Sequence, residues 1–82
     1  MICNIVYKID ESGERISKIW TGHYYDNSSS DDVWMDIYDT DGGNVPLKRG
    51  DRIHYSDADL PNNADYEIVQ AEPRIYKLRR LD

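Results

Sequence analysis

The chain has 82 residues, and ten Lys and Arg against sixteen Asp and Glu give it a formal net charge of −6. This length predicts a single domain over residues 1–82 and excludes a large enzyme with a deep interior cleft. No apolar run approaches the roughly 18 residues of a membrane-spanning helix. Met1-Ile2-Cys3-Asn4 opens without a basic or apolar leader, so no secretory signal is predicted. One Cys cannot form an internal disulfide, which suits a reducing compartment.

The composition favours strands over helices. Leu, Ile, Val and Phe together make up 17 of 82 residues, and seven Tyr and two Trp add large rings that bury much area. β-branched and aromatic residues suit a half-buried pleated surface, whereas Asp, which outnumbers Glu twelve to four, suits turns. We therefore expect an all-β domain, a small antiparallel barrel or sandwich of five or six strands with little helix.

The first third of the chain predicts a hairpin and a loop. Met1–Ile9 and Arg15–Gly22 both alternate between apolar and polar positions, and Gly13 lies in the turn between them. Residues 23–32 hold the polar run Asn27-Ser28-Ser29-Ser30-Asp31-Asp32 and predict a mobile loop.

Four further strands are predicted in the rest of the chain, at Val33–Tyr38, Arg52–Tyr55, Tyr66–Ala71 and Arg74–Leu81. Turns with Gly separate the first two, and Pro73 ends the third. The side chains that the alternation places in the core are Ile5, Tyr7, Ile9, Ile16, Val33, Met35, Ile37, Ile53, Ile68, Val69, Ile75 and Leu78.

The distribution of charge is the most informative feature of the sequence. Ile19–Leu47 contains six acids and no Lys or Arg, whereas Arg74–Arg80 contains four bases and no acid. Outward Asp residues on a strand repeat at roughly 6.6–6.8 Å, comparable with the spacing of nucleic-acid phosphates. Together with the outward aromatics, these acids form the predicted partner-binding surface: Asp26, Asp31, Asp32, Trp34, Asp36, Tyr38, Asp39 and Asp41. The alternative interpretation of the same acids is a solvated face that keeps a small protein soluble. For the four bases, the alternative is a last strand that pairs with the acidic loops of its neighbours.

Catalytic and metal sites are not predicted. Cys3, His23 and His54 are isolated from one another in sequence, and no pair has the spacing of zinc ligands. His54 alternates with apolar neighbours and is predicted to point to solvent, with no residue to orient it as a base. The Asp-rich segment Asp36–Gly42 lacks the ligand spacing of an EF-hand. We expect a protein that is not an enzyme and that needs no cofactor and no metal.

Two segments resemble a pattern of small phage structural proteins. In the head–tail connector and minor-capsid type, a Gly-Asp turn precedes a strand and a Tyr-x-hydrophobic strand runs into Pro, as in Pro46–Ile53 and Tyr66–Pro73 of this chain. That resemblance implies a β-barrel with a contact role. Small acidic phage inhibitors, including anti-CRISPR proteins and DNA mimics, are similar in size, charge and lack of catalytic groups.

These observations lead to one expected function and two alternatives. The expected function is a phage or mobile-element inhibitor or adaptor whose acidic surface occludes the nucleic-acid-binding groove of a basic partner protein. The alternatives are a structural component of a virion and a single-stranded nucleic-acid binder that uses Arg74, Lys77, Arg79 and Arg80 with Tyr76. The expected location is the host cytoplasm or the virion, without membrane association or direct nucleic-acid binding, and a homodimer is compatible with the thin core.

Overall fold

The computed structural model describes residues 4–25, 32–57 and 64–81 and is all-β. Six antiparallel strands account for most of these residues, as the composition predicts. The strands are β1 (Asn4–Ile9), β2 (Trp20–Tyr25), β3 (Asp32–Tyr38), β4 (Arg52–Asp57), β5 (Ala64–Glu72) and β6 (Ile75–Leu81). The described part of the chain contains no helix that is long and apolar enough to cross a membrane.

The strands form a closed barrel in the order β1-β2-β3-β6-β5-β4, with β4 pairing back onto β1. Each half of the chain is a three-stranded meander, and the two meanders join along β3·β6 and β1·β4. Closure pairs the edges that a small open sheet would expose. It also brings the acidic middle of the chain against the basic last strand.

The barrel interior holds the hydrophobic core. Large aromatic rings contribute much of it, which compensates for the low aliphatic content. The core cluster consists of Val6, Trp20, Met35, Ile37, Val45, Leu47, Ile53, Tyr55, Ala64, Tyr66, Ile68, Tyr76 and Leu78. The predicted burial is confirmed for Ile9, Met35, Ile37, Ile53, Ile68 and Leu78, and Val33 packs against the cluster.

The predicted facing of β1 is wrong. Val6 is fully buried and pairs with Tyr55, whereas Ile5 and Tyr7 are half-buried at the alternate positions. The reason is steric. The interior is filled by rings from other strands, and Val6 lies against Gly22 of β2, where a Cβ would come within 2.5 Å of the Val6 Cγ2 atom. Val6 shares its face with Asn4 and Lys8, whereas Ile5, Tyr7 and Ile9 alternate on the other face, so alternation predicts the wrong inward residue at Val6, although Ile9 is buried as predicted.

The second predicted strand begins five residues too early. Arg15 makes one isolated bridge to Ile9, and β2 starts only at Trp20. Between them, the Lys8 backbone N–H donates to the Ser17 hydroxyl at 2.8 Å, so a side chain replaces a ladder bond. Ile16 is 55% exposed and does not belong to the core.

Two other expectations change. The ends of the predicted loop at 23–32 belong to strands, since β2 runs through Tyr25 and β3 begins at Asp32; positions 26–31 lie outside the described residues. Val69 and Ile75 are half-buried, not in the core. Val69 follows the inward Ile68 on β5 and therefore faces outward, and the register shift between Ile68 and Gln70 leaves it without a direct partner on β6.

Candidate functional site: the outer face of β2, β3 and β6

The outer face of β3 carries four of the predicted binding residues. Trp34, Asp36 and Tyr38 point away from the core as the sequence predicts, while Met35 and Ile37 fill the interior. Asp32, predicted in the preceding loop, begins the strand and continues the same outer row. Asp39 and Asp41 follow in the turn after the strand. Asp26 and Asp31 lie outside the described residues.

Asp36 is held by an arginine from the hairpin between β5 and β6. Arg74 Nε and Nη2 donate to the two Asp36 carboxylate oxygens at 3.3 and 3.2 Å. Arg74 has a φ of 70°, a left-handed conformation that costs energy for a residue with a Cβ. The two-residue turn at Pro73 and Arg74 therefore places a strained residue where its guanidinium meets β3.

Asp32 is held by two bases of β6. Arg79 is the direct partner of Asp32 in the strand register, and its Nε lies 3.2 Å from Asp32 Oδ1. Lys77 Nζ lies 3.8 Å from Asp32 Oδ2. Arg79 pairs on its other side with Glu67 of β5, which in turn pairs with Arg52 of β4. A row of alternating charges thus crosses four strands of the barrel, and opposite charges at paired positions stabilise a sheet.

Asp39 pairs with Lys18 of the connection before β2. The Lys18 Nζ lies 2.8 Å from Asp39 Oδ2, and the Thr40 backbone N–H donates to Asp39 Oδ1 at 2.7 Å. The hydrogen bond from Lys18 lowers the pKa of Asp39 below 3.8, and the same contact raises the pKa of Lys18 above 10.5. Asp41 Oδ1 accepts a hydrogen bond from the Gly43 backbone N–H at 3.0 Å and so closes the turn.

Cations cover the outward aromatic rings. Lys77 Nζ lies 5.8 Å from the centre of the Trp34 ring, and the Arg74 guanidinium carbon lies 4.6 Å from the centre of the Tyr38 ring. His23 of β2 stacks with Tyr38 at 6.1 Å and an interplanar angle of 15°. These contacts hold both rings in fixed positions on the outer face, where they remain half-buried.

The electrostatic character of this face differs from the acid-only surface expected for a basic partner, and it agrees with the alternative in which the bases near the C-terminus pair with neighbouring acids. The side chains of Asp32, Asp36 and Asp39 are only 14%, 17% and 18% exposed, and each is ion-paired. The acidic stretch is therefore interleaved with bases from β6 and from Lys18. The β3·β6 pairing could not be read from spacing along the chain, because 38 residues separate Asp36 from Arg74.

A second polar group lies on the outer face of β1, β4 and β5. His54 Nδ1 lies 2.7 Å from Asp65 Oδ1, and Ser56 Oγ lies 3.5 Å from His54 Nε2. The Tyr7 ring stacks on the imidazole at 5.2 Å. Sequence reasoning missed Asp65 as a partner of His54, since only the β4·β5 register brings them together. Cys3 lies outside the described residues, and no three His, Cys, Asp or Glu side chains in the described ranges converge as metal ligands.

Comparison with known proteins adds no relative. Neither the protein-family models, nor the curated proteins, nor the solved structures include a match to this chain.

Proposed function

We propose that this chain is a binding protein, an inhibitor or adaptor that occupies a surface of a partner protein through the outer face of β2, β3 and β6. The observation that carries the proposal is the fixed, outward placement of Trp34 and Tyr38 between ion pairs. Aromatic rings held rigidly at a surface lose little entropy on binding and are the residue type that anchors interfaces.

The ion pairs around these rings suit a binding role. Asp32 is held by bases of β6 and Asp36 by Arg74 of the preceding hairpin, so the face presents an ordered pattern of hydrogen-bond donors and acceptors. A partner that brings its own arginines and lysines would share these carboxylates with Arg74, Lys77 and Arg79. Pre-organisation of this kind lowers the ordering cost of association.

The net charge supports a basic partner. The whole chain carries −6, and a charge of that sign speeds encounter with a positive surface and makes the encounter sensitive to salt. We propose that the partner is a basic, nucleic-acid-handling protein and that the barrel blocks access to its groove. A phage or mobile-element origin accords with the small size and acidity of the chain.

A capture experiment with matched variants tests this function. The tagged protein is used to retain partners from lysate of its host at low and at high salt. Trp34→Ala and Tyr38→Ala should each remove the specific partner, and wild-type capture should weaken at high salt. Tyr7→Ala is the control, because Tyr7 is also an outer-face aromatic beneath a cation, Arg15, but lies on β1.

The outcomes separate the parts of the proposal. If Trp34→Ala and Tyr38→Ala capture the same proteins as the wild type, this face is not the binding surface. If both aromatic variants lose the partner but neither high salt nor Asp41→Asn weakens its capture, the face is retained as the binding surface and a basic partner is rejected. A retained protein that binds nucleic acid and loses that binding when the barrel is added would support occlusion.

The nucleic-acid alternative meets two obstacles. Tyr76 is buried in the core and is not available to stack on a base, and the bases beside it are already ion-paired. Arg74, Lys77 and Arg79 already bind carboxylates of β3, so a phosphate backbone would compete with Asp32 and Asp36 for them. A labelled single-stranded oligonucleotide at low salt discriminates the two functions directly: binding would favour the alternative. Detection of the chain in purified virions would favour the structural role.

A further inference from the structure

We infer that Ser56 is a reactive nucleophile, activated by His54 and Asp65, toward activated acyl and phosphonyl esters. The three side chains lie in series on the outer face of β4 and β5. His54 Nδ1 and Asp65 Oδ1 are 2.7 Å apart, and His54 Nε2 and Ser56 Oγ are 3.5 Å apart. This is the order of contacts that hydroxyl nucleophiles require.

The strand register builds the site. His54 and Asp65 are direct partners across β4 and β5, and Tyr7 is the direct partner of His54 across β1 and β4. Ser56 lies two residues after His54 on the same strand, so both side chains project from the same face. Three neighbouring strands of a closed barrel therefore hold the group without help from a loop.

The hydrogen bonds define the role of each nitrogen. A carboxylate only accepts, so the contact with Asp65 places the proton of the neutral imidazole on Nδ1. Nε2 is then the acceptor that faces the Ser56 hydroxyl. The Tyr7 ring, stacked at 5.2 Å with an interplanar angle of 24°, restricts rotation of the imidazole. His54 acts as the base, and Asp65 is a positioning residue.

The reaction is an acyl transfer followed by hydrolysis. Ser56 Oγ attacks the ester carbonyl carbon while its proton passes to His54 Nε2. The bond to the leaving group breaks, and the departing oxygen, or sulfur in a thioester, takes that proton. The acyl group stays on Oγ until a water molecule, deprotonated by the same Nε2, attacks it and releases the acid. Ser56 recovers its hydroxyl proton in this second step. With a fluorophosphonate, Oγ attacks phosphorus, the P–F bond breaks, and fluoride leaves a stable phosphonyl adduct.

The surroundings define the substrate class. The His54 side chain is 23% exposed and that of Asp65 is 42% exposed, so the group lies on an open face instead of within a cleft. An open face lends little binding energy to a substrate, and a serine there reacts best with esters whose leaving groups depart easily. The natural compounds of this class are activated acyl esters such as thioesters; the probes are a fluorophosphonate and p-nitrophenyl acetate.

The experiment measures labelling and turnover on the intact chain. We expect one fluorophosphonate adduct per chain, mapped to Ser56 by tandem mass spectrometry, with Ser12 and Ser17 as internal controls. His54→Gln should slow labelling by about 100-fold, the usual scale of general-base assistance. The labelling rate of Asp65→Asn should lie between that of His54→Gln and that of the wild type. Added imidazole should restore part of the rate to His54→Ala. Urea midpoints of each variant establish that it is folded.

A second readout separates positioning from mere stability. Nitrogen NMR should show His54 protonated on Nδ1 in the wild type and redistributed toward Nε2 in Asp65→Asn. The inference is overturned if the adduct is spread over several serines, if His54→Gln reacts at the wild-type rate, or if p-nitrophenyl acetate hydrolysis is unchanged in Ser56→Ala. This group shares no strand with the β2, β3 and β6 face, so either proposal can fail without the other.

Discussion

Arg74 binds the Asp36 carboxylate through two nitrogens while its own backbone is in the left-handed region, at a φ of 70°. Its guanidinium also lies over the Tyr38 ring. One strained residue in the turn before β6 therefore binds β3 and contacts Tyr38, at the centre of the proposed binding face. Strain at a turn persists only when the surrounding contacts compensate for it.

A double-mutant cycle measures the energy of the Arg74–Asp36 ion pair. We expect Asp36→Ala and Arg74→Ala to show a coupling energy of about 0.5–1 kcal/mol in the free energy of unfolding from urea denaturation, because the pair is bidentate and partly shielded from water. Arg74→Gly should be less destabilising than Arg74→Ala, since Gly adopts a positive φ without cost. Additive single mutants would show that the contact contributes nothing to stability.

Gly22 should not tolerate a side chain. A Cβ at this position would lie 2.5 Å from Val6 Cγ2 and 3.0 Å from Met35 Sδ, both inside the barrel. We expect Gly22→Ala to lower the free energy of unfolding by about 1–3 kcal/mol, the usual cost of overpacking. Val6→Ala removes the clashing Cγ2 atom, so in chemical denaturation the double variant should lose less than the sum of the two single variants.

Gly43→Ala is the matched control for this position. Its Cβ would approach only the Asp41 carboxylate, at 3.2 Å, in an exposed turn. Equal destabilisation at the two glycines would contradict a role for Gly22 in close packing.

Ser17 should stabilise the connection between β1 and β2. Its hydroxyl accepts from the Lys8 backbone N–H and donates to the Lys18 carbonyl, each at 2.8 Å. Ser17→Ala leaves the partly buried Lys8 N–H without that acceptor, and we expect a loss of about 1 kcal/mol. Ser12→Ala removes an exposed hydroxyl from the same connection and should cost less. Thermal unfolding of the two variants provides the comparison.

The Lys18–Asp39 pair should give the stability a pH dependence with a defined sign. The pKa of Asp39 is lowered in the folded protein, so its contribution is present above 3.8 and is lost as the pH falls through the lowered value. The pKa of Lys18 is raised, so its contribution is present below 10.5 and is lost as the pH rises through the raised value. Between these limits, Asp39→Asn should melt below the wild type.

The difference in melting temperature between wild type and Asp39→Asn should shrink as the pH falls below 3.8. Lys18→Ala should lower the melting temperature at neutral pH in the same direction. A difference that stays constant down to the acid limit would show that the carboxylate acts through packing and not through its charge.

How far the sequence predicts this fold varies from strand to strand. The sequence correctly predicts the end of β3 at Tyr38 and the faces of its side chains, because Met35 and Ile37 alternate with outward residues such as Asp36. For β1, the alternation of Ile5, Tyr7 and Ile9 predicts the wrong inward residue at Val6. The start of β2 was missed because Ser17, through its side chain, interrupts what reads as a continuous alternating run.

The contacts around Trp34 and Tyr38, and those around His54, were even less predictable from the sequence than the strands. Local alternation put Trp34 and Tyr38 on the outer face, and it placed His54 on the outer face of β4. The partners of these residues lie on other strands: Lys77 and Arg74 meet the rings, and Asp65 meets the imidazole. Spacing along one strand carries no information about the register between strands.

The all-β class and the acidic excess follow from the amino-acid sequence alone, because composition and the two-residue period are local properties. The sequence also located the acid-only middle and the basic last strand of the chain. Which acids these bases meet depends on the fold, because barrel closure pairs β3 with β6 in a register that sets Asp32 opposite Arg79. The β4·β5 register joined His54 to Asp65, and the β1·β4 pairing that closes the barrel set Tyr7 opposite His54.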